Sequence, residues 1–293
     1  MSVFERPLFA LSLTEQDRSL LAYSALVAER FGWGDLHFAH VATEDSARYM
    51  EPLRDEVRRY LGEPGAAAGH SYHALDGPRL DQLLRLAVEH SRDVIMLGHR
   101  RMRSGRRSLA RRLAMISPAS VWLVPEDSPA RISCILVPVD FSPASGDALA
   151  VAAGIARTMG LEQVYAVHVF FDPSTVRYDE HVREVVGQEE AAFQKFIAGV
   201  DTQGVGVDPL LVEGTRPATD ILHTASRYGC DLVVMSTRGR SQAASVLLGS
   251  TTSETMAATT VPLVAVKHFG SSMTLVEALT NHRIREQPSP KTN

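Results

Sequence analysis

The residues best equipped for chemistry in this 293-residue chain stand in its second half, where two apolar runs end in an acid and in a glycine–hydroxyl cluster. One run closes Val139-Asp140-Phe141-Ser142. The other closes Met235-Ser236-Thr237-Arg238-Gly239 and leads, after nine intervening residues, to Gly249-Ser250-Thr251-Thr252. Glycines at 239 and 249 would let the backbone approach an anion with no Cβ in the way. A helix starting near Ser250 would turn its free N–H groups and positive dipole end toward that anion. The hydroxyls of Ser250 and Thr252 could bond phosphate oxygens, and Asp140 could accept from a ribose hydroxyl. A plainer reading assigns Gly239 and Gly249 to turns and Ser250 to a helix cap. Two glycines and a serine do not decide between these readings.

Such residues need a frame to hold them. Short apolar runs alternate with amphipathic segments, which predicts an α/β fold with strands near 7–12, 36–42, 69–75, 93–98 and 119–124. A second set is expected near 133–139, 163–170, 206–213, 231–236 and 261–267. Runs such as Ile135-Leu136-Val137-Pro138-Val139 are continuously apolar, so these strands should be parallel and covered by helices on both faces. Helices are expected over 148–156, over 217–226 with Pro217 in the first turn, and over 272–279. Open parallel sheets bind ligands beyond the carboxyl ends of their strands, where the strand order reverses. Asp140 and Ser236 would stand at two such ends.

The chain is also a duplication. Pro7–Thr14 aligns with Ile135–Ser142, and His37–Val41 aligns with Tyr165–Val169 at the same offset of 128. Asp76-Gly77 answers to Glu213-Gly214, Asp93–Gly98 to Asp231–Ser236, and Val121–Val124 to Leu263–Val266. A repeat of this length is a duplicated domain and not a solenoid unit. The expected division is residues 1–126, residues 131–268 and a tail over 269–293, with 125–130 as linker. The final strands of the two copies, left alone, would be exposed apolar edges.

Composition narrows the class. A formal charge of −4 with 45% hydrophobic and 22% charged residues fits a globular protein without a globally polyanion-binding surface, so nucleic acid is not expected as a partner. Cys134 and Cys230, one in each of two apolar strand starts, suggest neither a disulfide framework nor a metal cluster. No signal peptide or membrane span is expected, and the chain reads as cytoplasmic.

The strand Val137-Pro138-Val139-Asp140-Phe141-Ser142, with Val234–Gly239, Gly249-Ser250 and Val261–Val264, resembles the universal stress protein family. Its ATP-binding branch carries Gly-x2-Gly-x9-Gly-Ser/Thr, and Ser236 stands here in place of the first glycine. The resemblance covers about 133–267, and more weakly 6–124. It implies tandem Rossmann-like, doubly wound domains, each a five-stranded parallel sheet in order 3-2-1-4-5, with ATP at the switch point. It further implies that Pro138, Val139 and Asp140 line base and ribose and that Val169 and Met235 sit near the base. Gly239, Gly249, Ser250, Thr251 and Thr252 would hold the phosphates, with Mg²⁺ as a candidate companion. The last strands of the two copies would pair as an internal pseudo-dimer, so that a homodimer would need another surface.

The first copy departs from this pattern. Ser12 stands where Asp140 stands, and the loop from Gly98 to Ser108 spans ten residues against fourteen from Ser236 to Ser250. In this alignment Arg107 replaces Gly249, so this copy should not bind ATP in the family manner. Seven arginines lie between 100 and 112; a solvated face paired with local acids explains them better than an anion site, since no aromatic residues interleave them. His40 and His168, shared by both copies, read as packing residues, and the two cysteines as inert core thiols. Asp179-Glu180 and Glu189-Glu190 read as a solvated helix face. No zinc-ligand spacing, P-loop or nucleophile elbow occurs, so no catalytic or metal residue is assigned. The resulting expectation is a stress-response regulator that binds ATP or a related adenine nucleotide in its second half. A non-nucleotide interaction scaffold and a slow ATPase are the alternatives.

Overall fold

The computed structural model describes residues 3–62, 69–100, 108–174, 179–239 and 248–267. The helix expected over 272–279 lies outside them. In the first half β1 (Pro7–Leu11), α1 (Asp17–Phe31), β2 (Asp35–Ala42), α2 (Met50–Leu61), β3 (Gly69–Asp76), α3 (Arg79–Glu89), β4 (Val94–His99), α4 (Leu109–Ile116) and β5 (Ser120–Pro125) follow one another. The second half repeats the series as β6 (Ile135–Pro138), α5 (Pro143–Met159), β7 (Gln163–Phe170), α6 (Asp179–Ala198), β8 (Gly206–Glu213), α7 (Pro217–Arg227), β9 (Leu232–Ser236), α8 (Ser250–Ala258) and β10 (Leu263–Val266).

Within each half the strands are parallel and ordered 3-2-1-4-5. The halves join into one sheet, β3-β2-β1-β4-β5-β10-β9-β6-β7-β8. The join is the antiparallel pair β5–β10, centred on Trp122 opposite Val264. These residues occupy equivalent positions in the repeat, so each final strand covers the other's open edge. Trp122 is fully buried there, with the rings of Phe4, Tyr23 and Phe31 around it.

Alternation along the strands divides the core into two faces, as the period of two in a strand requires. Phe9, Phe38, Trp122, Val137 and Val264 meet α1, α2, α5 and α6 on one side. Leu8, Val121, Leu136, Val233 and Leu263 meet α3, α4, α7 and α8 on the other. Both layers run across both halves, which explains why the strands read as unbroken apolar runs.

The duplication extends to individual hydrogen bonds. Asp93 accepts from the N–H groups of Glu5 and Arg6 at the entry to β1. Its counterpart Asp231 accepts from Ser133 and Cys134 at the entry to β6. The turns leaving β1 and β6 place Leu13 and Phe141 at φ 56° and 62°. Left-handed backbone at a bulky residue is strained. Its presence in both copies makes it part of the scaffold that presents residues 12 and 140.

Candidate functional site

A cleft of about 290 Å³ opens at the carboxyl ends of β6, β7 and β9, between the first turns of α7 and α8. All eleven residues singled out from the sequence line it: Pro138, Val139, Asp140, Val169, Met235, Ser236, Gly239, Gly249, Ser250, Thr251 and Thr252. The strand order reverses between β6 and β9, so this is the switch point of the second half.

Asp140 is half-buried and anchored by its own turn. Its Oδ1 accepts from the Ser142 backbone N–H at 3.2 Å and from the Ser142 hydroxyl at 2.5 Å. Ser142 in turn caps α5 by accepting from the Ser145 N–H, with Pro143 in the helix's first turn. The other carboxylate oxygen lies against Gly239, where a Cβ would come within 2.6 Å of it. Gly239 therefore has a definite structural task, which is to leave room for the acid.

Gly249 has no such task within the fold. It is the N-cap of α8 at φ −57°, and an added Cβ would meet only Thr252 Oγ1 at 3.6 Å and Thr237 O at 3.7 Å. No side chain caps α8, and Ser250 is its first helical residue, so the capping role open to Ser250 from sequence is not the one it has. The first-turn N–H groups face the cleft with the positive end of the helix dipole behind them.

Two hydroxyls near that helix start are already engaged. Thr252 Oγ1 donates to the Ser236 carbonyl at 2.8 Å, and the Ser236 hydroxyl donates to the Arg238 carbonyl. Thr252 thereby ties α8 to the end of β9, so its hydroxyl proton is not available to a phosphate as the sequence suggested. The exposed Ser250 and half-buried Thr251 remain the hydroxyls on the open side.

Ser145, Val167, His168, Pro217, Ile221 and Arg238 also line the cleft and were not among the residues singled out. Arg238 adds a cation on the side of α8; it sits inside the quoted Met235–Gly239 run, where chain position alone gave it no direction. His168 borders the cleft, but its Nδ1 is 2.7 Å from the Val139 carbonyl and its ring stacks on Phe141. His40 makes the equivalent bond to Leu11 O at 3.1 Å. The packing reading of both histidines agrees with these bonds. Glu189 corrects the reading of its helix as simply solvated, because it turns inward to within 3.5 Å of His168 Nε2.

In the first half the acid and the hydroxyl have changed places. Ser12 occupies the position of Asp140, and Asp17 the position of Ser145. Asp17 is buried and accepts from the Ser12 hydroxyl at 3.0 Å and from the Leu13 N–H at 2.6 Å. The carboxylate that would face a ligand is here consumed by the turn. The helix start differs as well: Ser108 is the N-cap of α4 and accepts from the Arg111 N–H. By helix caps Ser108 matches Gly249, one position from the sequence alignment, and Arg107 lies outside the described residues. Of the arginine run, Arg100 approaches Glu126 at 3.9 Å and Arg112 is exposed.

The cysteines are closer associates than two isolated core thiols. The Cys134 thiol donates to the Tyr228 carbonyl at 3.8 Å, and interaction with Cys134 together with burial pushes the Cys230 thiol up. Both are free thiols, Cys134 half-buried and Cys230 buried.

Comparison with known proteins agrees with this architecture. Residues 133–267 match the family model described as the universal stress protein family. A curated universal stress protein from Methanocaldococcus jannaschii is 30% identical over 139 residues, covering 45% of this chain and 81% of that protein. The crystal structure of a universal stress protein from Archaeoglobus fulgidus superposes at a TM-score of 0.64 with 18% identity, covering 91% of this chain and 98% of its own. A structure from Pseudomonas aeruginosa, described as functionally unknown, superposes at 0.64 with 14% identity and covers 96% of each chain. These two likenesses concern the fold alone. By its sequence match to the archaeal relative, the chain belongs to the universal stress protein family.

Proposed function

We propose that the second half binds ATP or a related adenine nucleotide in the β6–β9 cleft and that binding regulates the protein's part in the stress response. The observation that carries this reading is Gly249. The fold has room for a side chain there, yet the residue is bare at the uncapped start of α8, which lines the cleft. A phosphate on those N–H groups accounts for both facts. Pro138, Val139, Val169 and Met235 offer an apolar wall for a base, and Asp140 an acceptor for a ribose hydroxyl. Gly239, Ser250, Thr251 and Arg238 surround the phosphate end, where Mg²⁺ can accompany the nucleotide.

The chain is then two domains, 1–126 and 131–268, with a tail over 269–293. They act as an internal pseudo-dimer in the cytoplasm, with the first domain a structural partner that has given up its site. A scaffold without nucleotide is the competing reading, favoured by Ser236 where the family's first glycine would stand. Slow hydrolysis is a variant of the nucleotide reading. The two classes separate in one experiment: the purified protein is denatured and its supernatant analysed for nucleotide, then stripped protein is titrated with ATP and Mg²⁺. Stoichiometric adenine nucleotide or saturable one-site binding supports the proposal; neither appearing would favour the scaffold.

A further inference from the structure

On the far side of the molecule from the cleft's half, β2 and β3 bring together three histidines that the chain keeps well apart. His37 on β2 pairs with Ser71, and His73 stands two residues further along β3 on the same face, while His90 follows α3 as its C-cap. His73 Nε2 is 3.0 Å from His37 Nδ1. The rings pack with centroids 4.7 Å apart for His37–His90 and 5.3 Å for His73–His90. One ring nitrogen from each lies within 4.8 Å of the others. His37 is buried, while His73 and His90 are half-buried, so the group opens to solvent on one side only.

We propose that His37, His73 and His90 form a binding site for a divalent transition-metal ion of the zinc class. Three imidazole nitrogens with a fourth position open to water are a common zinc set, and imidazole also suits copper and nickel. Zinc–nitrogen bonds of about 2.0–2.1 Å in tetrahedral geometry put ligand nitrogens about 3.3 Å apart. The His37–His73 pair is already close to that spacing, and His90 needs only to swing in.

The surroundings support ligation in a second way. Asp35 Oδ1 lies 3.2 Å from His37 Nε2, so the carboxylate accepts that N–H and leaves Nδ1 facing His73. Ligating histidines typically have such a carboxylate behind them, fixing tautomer and orientation. Arg92 holds the arrangement from below, donating to Asp35 Oδ2 at 2.8 Å and to the His90 carbonyl at 2.8 Å. Its charge is paired with Asp35. A metal here would fasten β2, β3 and the end of α3 to one another, in the half whose nucleotide position is lost.

The test uses full-length protein treated with chelator and dialysed, then titrated separately with ZnCl2 and with CoCl2. Expected are one zinc per chain by calorimetry, the visible bands of a nitrogen-ligated tetrahedral cobalt ion, and a rise in melting temperature that chelator reverses. His73→Gln with His90→Gln, both half-buried and so compatible with folding, should weaken zinc binding at least a hundredfold. Their melting temperature without metal should stay near that of the parent. Asp35→Asn should weaken binding about tenfold to a hundredfold by loosening His37. His70→Gln, on the same strand as His73 but outside the trio, should leave it unchanged. Absence of saturable zinc binding would overturn the proposal. So would undiminished binding in the double variant, which would place the ion elsewhere, for example on the Cys134–Cys230 pair.

Discussion

Gly239 and Asp140 share one space: a Cβ on residue 239 would stand 2.6 Å from Asp140 Oδ2. The carboxylate therefore keeps its place in the cleft only because the loop after β9 carries no side chain there. Gly239→Ala should push the carboxylate aside and weaken ATP binding roughly tenfold, with little change in the melting temperature of the empty protein, since the acid is only half-buried. Paired calorimetric and thermal measurements check this; full affinity in the variant would remove Asp140 from the ribose position.

ATP with Mg²⁺ should stabilise the protein through this cleft. At about 100-fold over the dissociation constant, linkage gives roughly 2.7 kcal/mol, a melting shift of a few degrees for a domain of this size. Gly249→Arg should abolish the shift. The fold has ordinary van der Waals room for the first atom of that side chain, so the variant should still unfold cooperatively. A shift of parental size would move the nucleotide elsewhere.

The exchanged pairs Asp140/Ser145 and Ser12/Asp17 predict an asymmetry. Asp140→Ser should lower ATP affinity about tenfold to a hundredfold, the range for losing a hydrogen bond to a charged group. Ser12→Asp should confer no second binding event, because the new acid would face Asp17, which already holds Leu13 N–H at 2.6 Å. It should instead destabilise the first half by like-charge repulsion. A second transition in the Ser12→Asp titration would show that half to be competent after all.

Lys267, at the end of β10, reports on the join between the halves. Its N–H donates to Ser120 Oγ at 3.1 Å and its ammonium to the Met115 carbonyl at 3.1 Å. Burial, aided by the charge of Arg238, lowers its pKa from 10.5 to about 8. Between those values the unfolded chain holds a proton that the folded chain has released, so stability should rise with pH through that window. The associated gain is at most about 3 kcal/mol, is complete above the unfolded value and is lost as pH falls through about 8. Other groups titrate in the same range, so the measurement is the difference in denaturant stability between parent and Lys267→Met from pH 7 to 10.5. An unchanged difference would mean that the folded protein leaves this lysine fully solvated.

The sequence by itself determined the architecture and most of the cleft. Unbroken apolar runs such as Leu232–Met235 read as strands covered on both faces, and an offset of 128 residues shared by Pro7–Thr14 and His37–Val41 reads as a duplication. Residues at strand ends, Asp140 and Ser236, were legible because a parallel sheet exposes those ends together. What the chain order could not carry was side-chain direction and contact across distance. Thr252 looks like a phosphate ligand until its hydroxyl is seen bonded to Ser236 O. Gly239 reads from sequence as a phosphate glycine, and only packing shows that it also makes room for the Asp140 carboxylate. The buried acid Asp17 gives no sequence signal that it has replaced Asp140 by turning inward. His37, His73 and His90 match no ligand spacing, because parallel pairing of β2 with β3 and the return of α3 bring them together. Periodicity encodes which face a residue is on; only packing decides which atoms it meets.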